Sequence, residues 1–212
     1  MVNLLKSNKE KVFCIGRNKT GTTSLEVVLK EFGYKLGKQH KAERLLKYYK
    51  LGHWKPIVKF CKTAEAFQDA PFSWPYTWLI LHEHFPEAKF ILTTRDEEKW
   101  YYSLVNFHSR LFADGIRVPT KEDLQRAKYN YPGFILESNR AVHKTPLDDI
   151  YNKEEMIKNY RTHNNSVLHF FKNRSNFLHI DVSEKDSYQQ LADFLNKPPL
   201  HQSFPHYNKT AS

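Results

Sequence analysis

The residues best suited to chemistry lie in a short polar loop, GRNKTGTTS, which begins at Gly16 and ends at Ser24. An apolar run at residues 12–15 precedes the loop, and an amphipathic helical pattern follows it. A turn from a buried strand into a helix directs backbone N–H groups and the positive end of the helix dipole at one point, where phosphate or sulfate binds well. Arg17 and Lys19 add positive charge there. The sequence therefore predicts an anion-binding loop.

The glycine spacing of this loop matches a known phosphate loop, but the position of the lysine does not. Gly16 and Gly21 are spaced as in the Walker pattern G-x-x-x-x-G-K-[ST], yet Thr22 stands where that pattern requires its lysine. Lys19 lies three residues before that position. We expect the backbone cradle to be retained and the cation to approach from the other side, which argues against an ordinary ATPase or kinase.

Two further polar residues follow predicted strands. Asp69 comes after residues 64–68, and Arg95 comes after the apolar run at residues 89–94. Ligands of open α/β sheets bind outside the carboxyl ends of the strands. We therefore expect Lys19, Asp69 and Arg95 to converge on one rim of the sheet.

Alternating strand and helix patterns position these residues. They predict an α/β fold of three layers, with a mainly parallel sheet of four to five strands and a phosphate loop like that of the P-loop NTPases. Helices are predicted at residues 22–32, 74–85, 96–107, 153–171 and 186–195, and strands at 12–15, 64–68, 89–94 and 177–182. Ser73 is expected to cap the second of these helices, and Phe107 to face the core. A single domain at 1–212 would carry a lid or substrate-binding insertion at about 108–152.

Composition narrows the class of partner. The formal net charge of +10 implies an anionic partner, but no basic block or zinc-finger spacing accompanies it, so we expect no nucleic acid. No apolar run approaches the about 20 residues that cross a membrane, and the N-terminus lacks the apolar core of a signal peptide. Cys14 and Cys61 have no metal-ligand spacing. We expect a cytoplasmic protein with no transmembrane segment and no metal.

Three motifs together resemble those of the sulfotransferases that use 3′-phosphoadenosine-5′-phosphosulfate (PAPS), in particular a small sulfotransferase-family branch. The loop RNKTGTTS is similar to the family's 5′-phosphosulfate loop, and Arg95 with Ser103 eight residues later is similar to its 3′-phosphate motif. Tyr160, the pair at 163–164, Val167 and the segments 191–195 and 204–206 resemble the branch's C-terminal part. The likeness spans most of the chain except about 111–149.

This resemblance implies transfer of a sulfuryl group from PAPS to an acceptor hydroxyl or amine, with adenosine 3′,5′-bisphosphate as the other product and no metal. Lys19 and Asp69 would be the catalytic residues. The residues implied to bind the cofactor are Arg17, Asn18, Lys19, Thr20, Gly21, Thr22, Thr23, Ser24, Arg95 and Ser103.

The chain departs from the family at two points. The glycine-rich loop that closes over the cofactor in cytosolic sulfotransferases is not evident, and Asp69 stands where those enzymes place a histidine before a proline. An aspartate before a proline is as often a turn residue as a base. His108 is the alternative base. His82 and His84 lie on different sides of a helix, so helix surface is favoured over a metal site, and His163 is expected to be structural.

Rival functions remain open at this point. One is a P-loop nucleotide kinase or NTPase, and another is a non-catalytic basic module that binds anionic glycan or nucleic acid. The basic surface and aromatic insertion suit an acidic or sugar-like hydroxyl acceptor, a small alcohol or a lipid headgroup equally well.

Overall fold

A computed structural model describes residues 10–205 of the chain. In chain order its elements are β1 (Val12–Cys14), α1 (Thr22–Glu31), α2 (Gln39–Glu43), α3 (Leu46–Lys50), α4 (Lys55–Phe60), β2 (Ala66–Phe67), α5 (Thr77–His84), β3 (Lys89–Thr93), α6 (Glu97–Phe112), α7 (Lys121–Arg126), α8 (Phe134–His143), α9 (Lys153–Phe171), β4 (Phe177–Ile180) and α10 (Ser187–Phe194). No helix within the described range is both long and apolar enough to span a bilayer.

The described strands form one all-parallel sheet in the order β2-β1-β3-β4. Phe13 of β1 pairs with Phe67 of β2 on one side and with Phe90 of β3 on the other. This arrangement confirms the predicted α/β class and the sheet of four to five strands. Because β1, β2 and β3 run parallel to one another, the loops that follow these three strands leave the same edge of the sheet.

Alternate residues of β1 and the residue that follows it are buried on opposite faces of the sheet. Val12 and Cys14 pack with α1 and α10, whereas Phe13 and Ile15 pack with α5 and α9. None of the four is more than 1% exposed, which explains why the sequence reads as an unbroken apolar run rather than an alternating one. The predicted three layers are therefore confirmed.

Helix α5 begins later than predicted. Its first residue is Thr77, and Ser73 does not cap it, because Tyr76 immediately before the helix has a left-handed backbone with φ 62°. The preceding segment is held in turns, in which the Ser73 N–H donates to the Asp69 carbonyl at 2.8 Å. Strand β2 is shorter than predicted because Asp69 itself is left-handed, with φ 56°.

Helix α6 is longer than predicted, and the prediction that Phe107 faces the core is wrong. Trp100, Leu104 and Val105 form its buried side, whereas Phe107 is only partly buried and lines a cavity beside the loop after β1. The predicted insertion contains α7 and α8. Phe134 of α8 packs into a cluster beside the loop after β2, so the insertion folds back over the carboxyl edge of the sheet.

Candidate active site

The loop after β1 is closed by its own hydroxyl and by two left-handed residues. Lys19 has φ 67° and Gly21 has φ 93°. The buried Thr20 hydroxyl donates to the Arg17 carbonyl at 2.6 Å and lies 2.7 Å from the Thr93 hydroxyl of β3. These bonds fix the loop against the neighbouring strand, so the Thr20 side chain fastens the loop and only its backbone N–H is left for a ligand.

The N-terminus of α1 offers free backbone donors. The Leu25 N–H is the first to bond within the helix, to the Gly21 carbonyl at 3.0 Å, and no side chain of the described chain caps the helix. The N–H groups of Thr22, Thr23 and Ser24 therefore have no helical partner. Such a helix end, which also carries the positive end of the dipole, is an anion site.

The hydroxyls of this first turn differ in their surroundings. Thr22 is buried, Thr23 is exposed, and the Ser24 hydroxyl donates to the Pro205 carbonyl at 2.8 Å. The C-terminal segment thus runs beside the predicted donor loop. Of these three predicted ligands, the Thr23 hydroxyl is the most accessible.

The Lys19 ammonium lies against helix α6. Its Nζ is 3.9 Å from the centre of the Phe107 ring. Burial lowers the Lys19 pKa, and the charges of Arg110 and Arg95 lower it further, whereas Asp69 opposes them. The structure therefore places both Asp69 and Arg95 within electrostatic reach of Lys19, at the rim formed by the strand ends.

Arg95 is held by hydrogen bonds, one set of which comes from Tyr160, an aromatic residue stacked on Trp100. Its guanidinium donates to the Lys19 carbonyl at 3.2 Å, and the Tyr160 hydroxyl contacts both its backbone N–H, at 3.1 Å, and its carbonyl, at 3.0 Å. Tyr160 stacks on Trp100 at 4.3 Å, and the Trp100 indole N–H donates to the Asn18 carbonyl at 3.0 Å. The loop after β1 and the end of β3 are thus joined into one unit.

Ser103 lies in the second turn of α6, partly buried. It is one helical turn from Phe107, so the two residues share a face of the helix. The N-cap of α6 is Asp96, whose side chain accepts from the Lys99 N–H at 2.9 Å. Arg95 therefore immediately precedes the helix that carries Ser103.

Arg17 points beneath the loop rather than out of it. Its side chain is 3% exposed and donates to the Ser73 carbonyl at 2.8 Å. Burial lowers its pKa to about 10, while the nearby Tyr49 and Tyr160 oppose this effect. Arg17 lines the cavity next to the loop, a position that places its charge beside the predicted acceptor as much as beside the donor.

Asp69 is a partly buried carboxylate that also lines the cavity. Burial raises its pKa to about 6, and Glu43 raises it further, whereas the backbone N–H of Ala70 and the charge of Lys19 act in the opposite direction. A carboxylate with its pKa near neutral is suited to proton transfer at physiological pH.

His108, the alternative base, lines the same cavity. Its Nδ1 lies 2.7 Å from the Tyr151 hydroxyl. Burial, and secondarily Lys19, lower its pKa to about 4. The imidazole is neutral at physiological pH but is a weaker base than Asp69.

The cavity has a volume of about 190 Å³ and lies between the loop after β1, the loop after β2, α6 and α8. Its apolar wall contains Trp74, Leu104, Phe107, Phe134 and Ile135. Its polar lining includes three residues that the sequence motifs did not indicate, namely Glu43, Asn139 and His143. They lie in elements with no motif spacing, and only the aromatic, irregular character of the insertion pointed to this part of the chain.

The remaining histidines have structural surroundings. The buried His163 Nε2 lies 2.9 Å from the Ile15 carbonyl, in agreement with the structural role predicted for it. His82 makes edge contacts with Phe90 and Phe170, so it is packed on α9 and not fully solvated. Over residues 10–205, no three His, Cys, Asp or Glu side chains cluster as a metal site would require.

Comparison with known proteins places this site in a family. No curated protein matches the chain. The family described as "Sulfotransferase domain" matches residues 11–212, a range that includes the loop after β1, all four strands and the insertion. The all-parallel α/β sheet agrees with this match, and the chain belongs to the sulfotransferase domain family.

Proposed function

We propose that the protein transfers a sulfuryl group from PAPS to the hydroxyl, or the amine, of an acceptor. Family membership supports sulfuryl transfer in general; the choice of PAPS and of the acceptor group is our proposal. The observation that carries it is that Asp69 and Arg95 both lie near Lys19, which follows the same strand as the uncapped N-terminus of α1, while Asp69 also lines the neighbouring cavity.

The donor would be held by two separate groups of residues. The backbone N–H groups of Thr22 and Thr23, with the Thr23 hydroxyl, would bind the 5′-phosphosulfate. Arg95 would bind the 3′-phosphate together with Ser103, because a guanidinium forms paired hydrogen bonds to phosphate oxygens. Gly21 would allow the backbone to make the turn into α1, since its φ of 93° lies in the left-handed region, which glycine adopts without steric cost.

Bound PAPS would supply the sulfuryl group, whose bond to the bridging phosphate oxygen breaks as the bond to the acceptor oxygen forms, with the electron pair remaining on that bridging oxygen. Lys19 would stabilise the charge that grows there, because a fixed cation in a partly buried site costs little reorganisation. Asp69 would take the proton that the acceptor hydroxyl loses. The proton and the electron pair are then both accounted for.

The cavity beside Asp69 would hold the acceptor. Residues of the insertion at 108–152 supply one of its walls, including Phe134 and Asn139 of α8. We therefore assign substrate binding to this insertion.

A nucleotide kinase or NTPase is the weaker alternative, because Thr22 replaces the Walker lysine that such an enzyme places on the terminal phosphates. A non-catalytic anion-binding module does not require a mainly apolar cavity beside its basic loop. We further assign the reaction to the cytoplasm, since Cys14 and Cys61 are both free thiols, and cell fractionation would test this assignment.

Transfer from radiolabelled PAPS to a panel of hydroxyl and amine acceptors tests the proposed function. We expect label to appear in at least one acceptor, with an equal amount of adenosine 3′,5′-bisphosphate released. Phosphoryl transfer from ATP with magnesium, without sulfuryl transfer from PAPS, would contradict the proposal.

A further inference from the structure

Some residues that line the cavity carry buried polar atoms with no hydrogen-bond partner among residues 10–205. Of the eight such side-chain atoms in the described part of the chain, four belong to residues that line this one cavity. They are Arg17 Nε, both amide atoms of Asn139 and His143 Nδ1. Asn139 and His143 are four residues apart on α8, so they lie on the same face of that helix.

Of these three residues, Asn139 has the most unpaired side-chain atoms. Its side chain is 5% exposed, and neither its oxygen nor its nitrogen has a hydrogen-bond partner within the described residues. A buried, unpaired polar group costs about 1–3 kcal/mol, and native structures leave few of them. A leucine of similar size would avoid this cost, so the amide is expected to meet a ligand.

The chemistry of these atoms specifies the ligand group. A hydroxyl can donate to the Asn139 oxygen and accept from its nitrogen, which satisfies both atoms at once. Arg17 Nε can only donate, so it also calls for an oxygen. Burial, and secondarily the charge of Arg17, keeps the His143 pKa well below its ordinary value, so this imidazole is neutral. These atoms therefore suit a ligand hydroxyl, whose oxygen can also accept from Arg17.

Carboxylates also line this cavity. Asp69 lies there beside Glu43, whose carboxylate accepts from the Tyr129 hydroxyl at 2.8 Å and from the Asn130 amide at 2.7 Å. Glu43 is 8% exposed and raises the pKa of Asp69. These two carboxylates would repel a negatively charged acceptor.

The volume and the apolar lining of the cavity limit the size and polarity of the rest of the acceptor. Its volume of about 190 Å³ is smaller than the roughly 300–1,000 Å³ of drug-sized ligand sites. Leu104, Phe107 and Ile135 make one side apolar. A compact ring or short chain fits these limits better than a sugar polymer.

We propose that the acceptor is a compact, uncharged diol-like compound, in which one hydroxyl meets Asp69 and a second oxygen is bound by Asn139, another residue of the cavity lining. This inference rests on the proposed function for the transfer itself. Asn139 is then a specificity-determining residue that binds the acceptor and takes no part in the reaction.

Calorimetric titration tests the inference through binding rather than turnover. The benzenediols catechol, resorcinol and hydroquinone are compared with phenol, and the cyclohexanediols with cyclohexanol, on protein saturated with adenosine 3′,5′-bisphosphate and on free protein. We expect at least one diol to bind about tenfold more tightly than its mono-ol, since one buried amide is satisfied by the extra hydroxyl. Asn139→Leu should reduce that preference to about twofold or less and leave bisphosphate binding unchanged.

Two controls separate this effect from general damage. Asn106→Leu makes the same chemical change at an exposed position of α6 and should retain the diol preference. Thermal melting of Asn139→Leu should show equal or greater stability, because an unpaired buried amide has been removed; should this variant not fold, Asn139→Ala serves in its place.

Two results would overturn the inference: equal binding of diols and mono-ols by the wild type, or an unchanged diol preference in Asn139→Leu. Failure of the bisphosphate to bind, with diol preference retained on free protein, would contradict the PAPS assignment and still uphold the role of Asn139.

Discussion

At the scale of single residues, Lys19 and Thr22 distinguish this loop from a triphosphate-binding loop. Lys19 leaves the loop in a left-handed conformation and reaches the face of α6 that carries Phe107. Thr22 occupies the first position of α1, where a Walker lysine would point along the phosphates. The cation therefore approaches the anion site from the side of the acceptor cavity.

Replacing Lys19 with alanine removes the cation proposed to stabilise the leaving oxygen. We expect Lys19→Ala to lower the rate of sulfuryl transfer by on the order of 100-fold or more, the loss typical of removing one stabilising group from such a site, while the thermal melting temperature changes little. Lys158→Ala, at an exposed position of α9, provides the matched control in a radiolabel transfer assay. Wild-type rates from Lys19→Ala would refute its role.

The two candidate bases differ in pH dependence. A base acts when deprotonated, so with Asp69 in this role the transfer rate should rise with pH and level off above about 6, the value to which burial raises its pKa. With His108 the rise would be centred near 4. We expect Asp69→Asn to lower the rate by roughly 10²–10⁴-fold and His108→Gln to lower it only a few-fold. The reverse order of the two variants would assign the base to His108.

Asp69 also links stability to pH. Its pKa is raised from 3.8 to about 6 on folding, so the folded state binds this proton more tightly, and the resulting stabilisation is present below 3.8 and lost as the pH rises through about 6. Asp69→Asn cannot ionise. We expect its melting temperature to rise relative to the wild type between pH 4 and pH 7, as followed by thermal melts across that range. A difference independent of pH would mean that the Asp69 pKa is not raised.

At the scale of the elements, the contact between β3 and the loop after β1 determines where the anion-binding loop lies. Gly16 lies so close to β3 that a Cβ there would be 2.7 Å from the Thr93 backbone nitrogen. The Thr20 and Thr93 hydroxyls complete this junction at 2.7 Å. The loop can therefore lie this close to β3 only because Gly16, the second residue after β1, has no side chain.

We expect Gly16→Ala to destabilise the fold by about 3 kcal/mol, because the new methyl group must displace the backbone of β3. Gly52→Ala is the matched control: its φ is 65°, but no atom lies within 4 Å of the added Cβ, so a loss of about 1 kcal/mol from the left-handed backbone alone is expected. Urea unfolding of both variants measures the difference. Equal losses would show that the close approach to Thr93 is not a constraint.

The sequence predicted these elements well where burial alone decides them. The strands at 12–15 and 89–94 and the helix at 153–171 follow directly from apolar runs and helical periodicity. The start of α5 and the inward side of α6 did not follow, because the first depends on the left-handed Tyr76 and the second on whether Phe107 meets the core or a cavity. Both are decided by tertiary contacts that local patterns do not encode.

At the scale of the whole molecule, the site lies between the carboxyl edge of the sheet and the insertion at 108–152. Motif spacing predicted the half that comes from the sheet, including Lys19, Asp69 and Arg95. It did not predict Glu43 or Asn139, because each is brought to the cavity by helix packing and stands in no recognisable pattern. Surface charge and the aromatic insertion left acidic, sugar-like, small-alcohol and lipid acceptors equally open, whereas the cavity itself is lined by the carboxylates of Asp69 and Glu43.

Calorimetric titration with adenosine 3′,5′-bisphosphate, in the absence of magnesium, tests the proposed function most directly, because the 3′-phosphate distinguishes PAPS from ATP. We predict tight binding by the wild type, weakened about 10–100-fold in Arg95→Ala because charged hydrogen bonds to phosphate are lost, and unchanged in Arg161→Ala, where an exposed arginine of α9 is removed. Magnesium-dependent binding of ATP with no binding of the bisphosphate would contradict the account.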